Sequence, residues 1–287
     1  MKITFLLSVL FLSFSVISAH ADVLLVEDFE YDYGEILTDH GWYDQYGADT
    51  EITTTSGLLF DGYAGCGVGN AAAIDAQTNN PLHKDLSRQI TSGSVYVAFM
   101  LESFYNDKLA YFLAFREEVS QNNWKMNGRV YVDDENHIGL SFSKEKTTAI
   151  TSNEVLDPNK VYLVVMKYTI NAGDNNDEAS LYLLDKYSAT EPSSPTLGPV
   201  NDASQPDLNP AILQLRGDNN KSYFVIDGIR VATTWSEAVA AGVCPKDEGT
   251  AVADLQPEPH AVKVVENGNL YILHHGKRYN ALGKQVE

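Results

Sequence analysis

Positive charge is scarce in this chain. Lys and Arg number 20 against 39 Asp and Glu, a formal charge of −19 over 287 residues. Phosphate backbones and anionic bilayers are bound through basic surfaces, so nucleic acid and charged membrane are excluded as partners. Cysteine is nearly absent too: Cys66 and Cys244 stand alone, too few for a disulfide-built miniature scaffold or a thiolate zinc site. Helical periodicity is almost missing, and after the N-terminal residues no long apolar run suggests a membrane span. Histidines are scattered, with His274 and His275 together near the C-terminus, so no metal triad or Ser/His/Asp set stands out. Gly65–Asn70 is rich in glycine, but no helix pattern follows it to cradle a phosphate.

What is present is a series of short apolar runs bounded by Gly, Asn, Asp and Pro, in a chain whose 44% hydrophobic content can supply a sizeable core. Eleven stretches read as strands: Val23–Phe29, Glu51–Thr55, Leu58–Phe60, Ser94–Ser103, Ala110–Arg116, Gly128–Val132, Ile138–Ser143, Val161–Ile170, Ala179–Leu184, Ala211–Leu215 and Tyr223–Ala232. Val95–Leu101 and Val161–Met166 are apolar on both sides, which predicts central strands covered on both faces. Ile138–Ser143 alternates strictly, which predicts one buried and one solvated face. So many short strands are best accommodated as two packed antiparallel sheets, an all-β sandwich of the jelly-roll kind. The single helix expected is Trp235–Ala241, with Thr234 and Glu237 at capping-box spacing and Gly242 to end it. The proline-rich residues 186–210 read as a long surface loop crossing between the sheets.

Residues 1–21 read as a secretory signal: Lys2, an apolar stretch from Ile3 to Ile17, then Ala19-His20-Ala21. The expectation is an exported protein, secreted or held at the cell surface. An oxidising compartment permits one bridge between Cys66 and Cys244. The sandwich is assigned to 22–243 and a proline-rich linker to 244–260. Residues 261–287 form a small C-terminal β meander, with two-residue turns at Asn267-Gly268 and His275-Gly276.

The run Val26-Glu27-Asp28-Phe29-Glu30-Tyr31, then Gly41-Trp42, Gly62-Tyr63-Ala64-Gly65, Gly67-Val68-Gly69-Asn70 and Ile226-Asp227-Gly228-Ile229-Arg230-Val231-Ala232 follow one another in a familiar order. Over about residues 23–240 the chain resembles concanavalin A-like lectin/glucanase, or laminin-G-like, jelly-roll domains of exported Bacteroidetes proteins. Residues 264–284, ending Tyr279-Asn280-Ala281-Leu282-Gly283-Lys284, are similar to the C-terminal sorting element of type IX (Por) secretion cargo. That likeness implies secretion machinery as a partner of the tail.

Several residues are candidates for chemistry. Glu30, Asp32 and Glu35 fit the Glu-x-Asp-x-x-Glu spacing of family 16 glycoside hydrolases, whose carboxylates sit about 5–5.5 Å apart on one strand. An acidic strand end turning into a loop gives the same letters. Glu27, Glu30 and Asp227 could join a first-strand and a last-strand carboxylate around a structural Ca²⁺; the other role for Asp227 is to cap, or to pair with Arg230. Sugar binding calls for exposed rings beside amides and carboxylates, and two clusters offer them: Tyr43 and Tyr46 beside Trp42, and Trp124 beside Asn122 and Asn123. Trp42, matching the Gly-Trp of the resemblance, is assigned to the core. The leading expectation is a non-catalytic sandwich that binds glycan or another extracellular partner. A hydrolase or lyase using Glu30, Asp32 and Glu35 is the second reading, and an envelope component without a ligand the third.

Overall fold

Two strands that are apolar on both faces need cover on both faces, and the arrangement of the chain supplies it. The computed structural model describes residues 22–44, 52–75, 81–118, 125–143, 148–217 and 222–245, and in the tail 262–266, 269–274, 277–280 and 284–286. The first unit, ending at Cys244, carries β1 (Val23–Glu27), a 3-10 turn (Leu37–His40), β2 (Tyr43–Asp44), β3 (Thr53–Thr55), β4 (Ala71–Asp75), β5 (Leu82–Asp85), β6 (Gly93–Tyr105) and β7 (Ala110–Arg116). It continues through β8 (Met126–Val132), β9 (His137–Ser141), β10 (Ile150–Val155), β11 (Tyr162–Ile170), β12 (Glu178–Leu184), β13 (Leu197–Val200), β14 (Ile212–Leu215), β15 (Tyr223–Ala232) and the one-turn α1 (Trp235–Ala238).

The strands form two antiparallel sheets. One runs β13-β12-β11-β6-β15-β4-β3, with β1 added on β15; the other runs β10-β9-β8-β7-β14-β5-β2. Their inner faces share one core. Phe99 of β6 meets Phe112 of β7 edge-on at 6.0 Å, Phe112 meets Phe224 of β15 at 5.0 Å, and Phe142 stacks on Tyr168 of β11 at 5.9 Å. The body is a β-sandwich.

On β6, Val95, Val97, Phe99 and Leu101 enter that shared core, while Tyr96, Ala98 and Met100 enter a second apolar layer with Leu58, Phe60, Tyr63 and Trp235. β6 and β11 are therefore central and doubly covered. The loop supplying that second layer is tied down by the Cys66–Cys244 disulfide, whose Cα atoms lie 4.8 Å apart.

β15 changes partner part-way. Tyr223–Ile226 pairs with β4, and Ile229–Ala232 pairs with β1. The change falls at Asp227-Gly228, where the register against β6 also shifts. Gly228 adopts φ +57°, and a Cβ there would lie 3.0 Å from Met100 Cε and 3.1 Å from Gly65 Cα, so glycine is required.

The expected pattern leaves out β2, β4, β5 and β10 and needs four further local corrections. Leu58–Phe60 is not a strand; its backbone N–H groups are taken by Asp227 (from Leu58) and Cys66 Sγ (from Phe60), while both side chains fill the second apolar layer. Residues 186–210 include an edge strand, β13, where Pro199 is tolerated because an edge leaves ladder positions unpaired. The outer face of β9 is buried, with Ser141 at 0% exposure. Finally, α1 ends at Ala238; the Thr234 hydroxyl donates to the Glu237 carboxylate rather than capping a backbone N–H, and Gly242 packs against Ala64 instead of ending the helix.

The second unit is an antiparallel sheet in the order β16 (Val262–Glu266), β17 (Asn269–His274), β18 (Lys277–Asn280), β19 (Gln285–Val286). The expected turns Asn267-Gly268 and His275-Gly276 lie outside the described residues. Among the described residues no helix is long and apolar enough to cross a membrane.

Candidate functional site

Strand alternation sends Leu213 and Leu215 of β14 into the core and turns Gln214 outward. The same rule turns His83 of β5, Arg129 and Tyr131 of β8, and Ser141 of β9 to that outer face, which the second strand, β2, borders with Tyr43; on β7 an irregularity after Tyr111, where Phe112 and Leu113 both enter the core, lets Tyr111 and Arg116 share it. The result is a polar and aromatic row across the seven-stranded sheet. Arg116 Nη1 donates to Gln214 Oε1 at 3.1 Å and lies 3.2 Å from His83 Nε2. Gln214 Nε2 donates to Tyr111 Oη at 3.3 Å, and Arg216 Nη1 donates to the same oxygen at 3.0 Å. The Arg129 and Arg216 guanidinium carbons lie 4.7 and 4.8 Å from the centre of the Tyr111 ring. Further along, Ser141 donates to Tyr131 Oη at 3.1 Å, and Tyr131 meets Tyr111 edge-on.

Half of the six arginines in this acidic chain thus stand on one face of one sheet. Arginines are rarely buried without partners, and here ring faces, amide and carbonyl oxygens supply them. Burial, and next the Arg116 charge, hold the His83 imidazole below its ordinary pKa. Accepting from Arg116 through Nε2 assigns the ring proton to Nδ1, which points at the Tyr43 carbonyl oxygen 3.3 Å away. The short Nε2 to Gln214 Oε1 approach, 3.1 Å, is then bridged by the same guanidinium. Burial also raises the Tyr131 hydroxyl above its ordinary range. The face therefore offers fixed donors and aromatic surface around a neutral imidazole. Arg116, His83 and Gln214 are buried, whereas Tyr43 and Asp85 are exposed and Arg216 is half-buried, so the reachable members are at the edge of the row. The Tyr43 hydroxyl donates to Asp85 Oδ1 at 2.6 Å.

The residues expected to carry chemistry fall elsewhere. Glu30, Asp32 and Glu35 lie beyond the end of β1 in a turn, where Glu35 Oε2 accepts the Asp32 backbone N–H at 3.2 Å. The hydrolase pattern needs alternate residues of one strand, whereas these three residues lie in a turn. Glu27 is buried and fully used: Oε1 accepts from Phe29 N–H at 3.0 Å, Oε2 from Trp42 Nε1 at 3.0 Å, the Tyr31 hydroxyl reaches both oxygens, and Lys84 Nζ is 3.2 Å away. It anchors Trp42, which is core, at 1% exposure. Glu30 is exposed, and Asp227 accepts the Leu58 and Gly228 N–H groups. Among the described residues no group of three or more His, Cys, Asp or Glu is placed to hold a metal, so the three expected calcium ligands are not gathered into one site. Arg230 pairs with Asp28 rather than with Asp227. Tyr43 belongs to the polar row. Tyr46, Asn122, Asn123 and Trp124 lie outside the described residues.

Arg116, Arg129, His83, Gln214 and Tyr111 were not among the expected site residues. They come from four strands and share no local spacing. The signal that marks them is a polar residue beside apolar ones within a strand, as in Arg129-Val130-Tyr131-Val132 and Leu213-Gln214-Leu215-Arg216. Away from this face, a cleft of about 530 Å³ is lined by Leu59, Phe60, Asp61, Lys160, Lys186 and Tyr187, and one of about 340 Å³ by Asn171, Asp174, Asp177 and Asp207.

No family model and no curated protein matches this chain. Among solved structures it is similar to a Trypanosoma rangeli sialidase in complex with 2,3-difluoro-KDN, at 10% identity and TM-score 0.43, over 75% of this chain and 31% of that one. The chain thus spans about a third of the sialidase's length. It is also similar to an endo-1,3-β-glucanase from Streptomyces sioyaensis (10% identity, TM-score 0.44, 77% of this chain and 99% of that one). A third is the globular domain of T. cruzi calreticulin (12% identity, TM-score 0.42, 76% and 90%). At these scores the likenesses carry no argument about what this chain binds.

Proposed function

We propose that this chain is an exported, non-catalytic β-sandwich that binds glycan at the outer face of its seven-stranded sheet. The observation that carries this reading is the Tyr111 ring with the Arg129 and Arg216 guanidiniums 4.7 and 4.8 Å from its centre, Gln214 and Arg216 both donating to its hydroxyl, and half-buried Arg216 at the reachable edge of the set. Such a fixed set of donors beside ring faces suits a ligand rich in hydroxyl or carboxyl oxygens. The neutral His83 is committed to Arg116 and the Tyr43 carbonyl. This favours holding a ligand over turning it over.

Export rests on the signal-like residues 1–21. The tail of β16–β19 is read as an address for secretion machinery, on its likeness to type IX cargo. Glycan arrays carrying uronate-containing oligosaccharides test the binding. The full chain is expected to bind, and Arg129→Gln, with its melting temperature measured to check that the sheet still folds, to lose that binding. Absence of binding on the arrays and in cell-adhesion assays overturns the reading in favour of an envelope component without a ligand. Deleting 261–287 is expected to abolish surface delivery; unchanged delivery overturns the address.

A further inference from the structure

The opposite side of the sandwich carries an aromatic group that the reading above does not use. Along β6, residues Tyr96, Ala98 and Met100 point outward into the second apolar layer, so regular alternation would place Glu102 and Phe104 outward and Tyr105 inward. The ladder does not stay regular. Tyr223 of β15 pairs with Tyr105, but the next residue, Phe224, pairs with Ser103, so two residues of β6 oppose one of β15. This is a β-bulge at Phe104, and a bulge re-aims side chains. It gathers both Phe104 and Tyr105 around Tyr223: the Phe104 ring lies 5.1 Å from Tyr223, and Tyr105 lies 6.5 Å from it at only 27° between planes.

Two of these rings face water, and Tyr223 between them is half-buried. Phe104 is 37% exposed and Tyr105 54%, whereas Phe224 and Ser103, on the other side of the same pairing, are buried at 1% each. Single exposed apolar residues are ordinary, but three contiguous rings assembled by a local distortion of two central strands are not. The covering layer of Leu58, Phe60, Tyr63 and Trp235 lies over the Tyr96–Met100 part of the sheet; Tyr223 packs against its margin, and Phe104 and Tyr105 are not part of it.

We propose that Phe104, Tyr105 and Tyr223 form a stacking platform for a neutral sugar chain, separate from the arginine-bearing face. The chemistry favours that occupant. The exposed ring faces present apolar surface to the C–H side of a pyranose, and two of the three rings end in hydroxyls. Glu102, two residues before Phe104 on the same outward side, is half-buried and adds an acceptor for sugar hydroxyls. A carboxylate there, on a chain of charge −19, repels an anionic ligand.

The test is affinity electrophoresis of the full chain in gels containing a soluble β-glucan, a mannan or a xylan, all uncharged. Wild type is expected to be retarded by at least one. Phe104→Ala and Tyr223→Ala are expected to weaken that retardation about tenfold each, and Tyr105→Phe to keep it. Melting temperatures of the variants control for folding, which matters most for Tyr223, since that ring is half-buried. Arg129→Gln is the distinguishing control: it should leave retardation by neutral polymers unchanged while removing array binding at the other face. No retardation of wild type by any of the three polymers, or retardation unaffected by Phe104→Ala and Tyr223→Ala, overturns the platform, and loss of retardation in Arg129→Gln reassigns it to the arginine face. Binding of the rings to a protein, with no effect of sugar, overturns the proposed occupant.

Discussion

Arg230 forks onto Asp28 across 202 positions of sequence, with Nη1 2.8 Å from Oδ1 and Nη2 3.1 Å from Oδ2. The pair ties β15 to the residue that follows β1, and both side chains are nearly buried, at 10% and 13% exposure. The guanidinium also covers the Tyr63 ring at 5.4 Å. Removing the carboxylate strands a charge beneath the loop. Asp28→Asn is expected to cost about 2–4 kcal/mol, read as a lowered urea midpoint. A midpoint within error of wild type would show that the pair stabilises nothing.

Glu27 makes a sharper test because a single amide exchange breaks it. Glutamine has one acceptor oxygen, so either orientation turns an NH₂ group toward a donor: the Phe29 N–H on one side, or the Trp42 N–H and Lys84 on the other. Glu27→Gln is expected to lose about 2–4 kcal/mol and to loosen Trp42, visible as a red shift of tryptophan fluorescence. Were Glu27 a metal ligand instead, a chelator would lower the wild-type melting temperature and leave the variant's unchanged.

The contrast between these two residues and the rest shows how far the sequence could be read. β6 and β11 were legible because Val95–Leu101 and Val161–Met166 are apolar on both sides, and both occupy the middle of a doubly covered sheet. β9 misled because its small outward residues, Gly139 and Ser141, look solvated in sequence yet are buried beside Tyr131. β4, Ala71–Asp75, has little β-branched signal, and β13 carries Gly198 and Pro199; both are held by pairing with long neighbours rather than by propensity. Leu58–Phe60 reads as a strand because a buried loop needs the same apolar residues. The acidic run Glu30–Glu35 imitated a catalytic strand because spacing in sequence does not say whether the backbone is extended. The polar row on the seven-stranded sheet is a tertiary object, assembled from β5, β7, β8 and β14, so no local window contained it.

The disulfide closes a loop of 178 residues. In the loop-entropy model such a link destabilises the unfolded chain by up to about 5 kcal/mol. Urea unfolding with and without a thiol reductant, and of the Cys66→Ser/Cys244→Ser double variant, is expected to show a large drop in midpoint. The untreated double variant should match the reduced wild type. Midpoints unchanged by reduction would mean that the loop over the second apolar layer is held by Leu58, Phe60 and Tyr63 alone.

Asp227 gives a pH dependence whose sign can be worked out. Burial pushes its carboxyl up to about 8, outweighing the two backbone N–H groups from Leu58 and Gly228 that favour the charged form. In the unfolded chain the same group titrates near the ordinary aspartate value of 3.8. Below that value both states are protonated and the group has no cost. Between the two values the unfolded chain has released its proton while the folded one still holds it, so stability falls as pH rises. The loss approaches about 1.4 kcal/mol per pH unit and levels off above the folded value. Asp227→Asn removes the titration while keeping an acceptor for one of the two N–H groups. The wild-type midpoint in urea, measured from pH 4 to 9, is therefore expected to decline relative to the variant up to about pH 8 and then run parallel to it. Parallel curves over the whole range would show that Asp227 is ionised in the fold, with Arg230 or another charge compensating it.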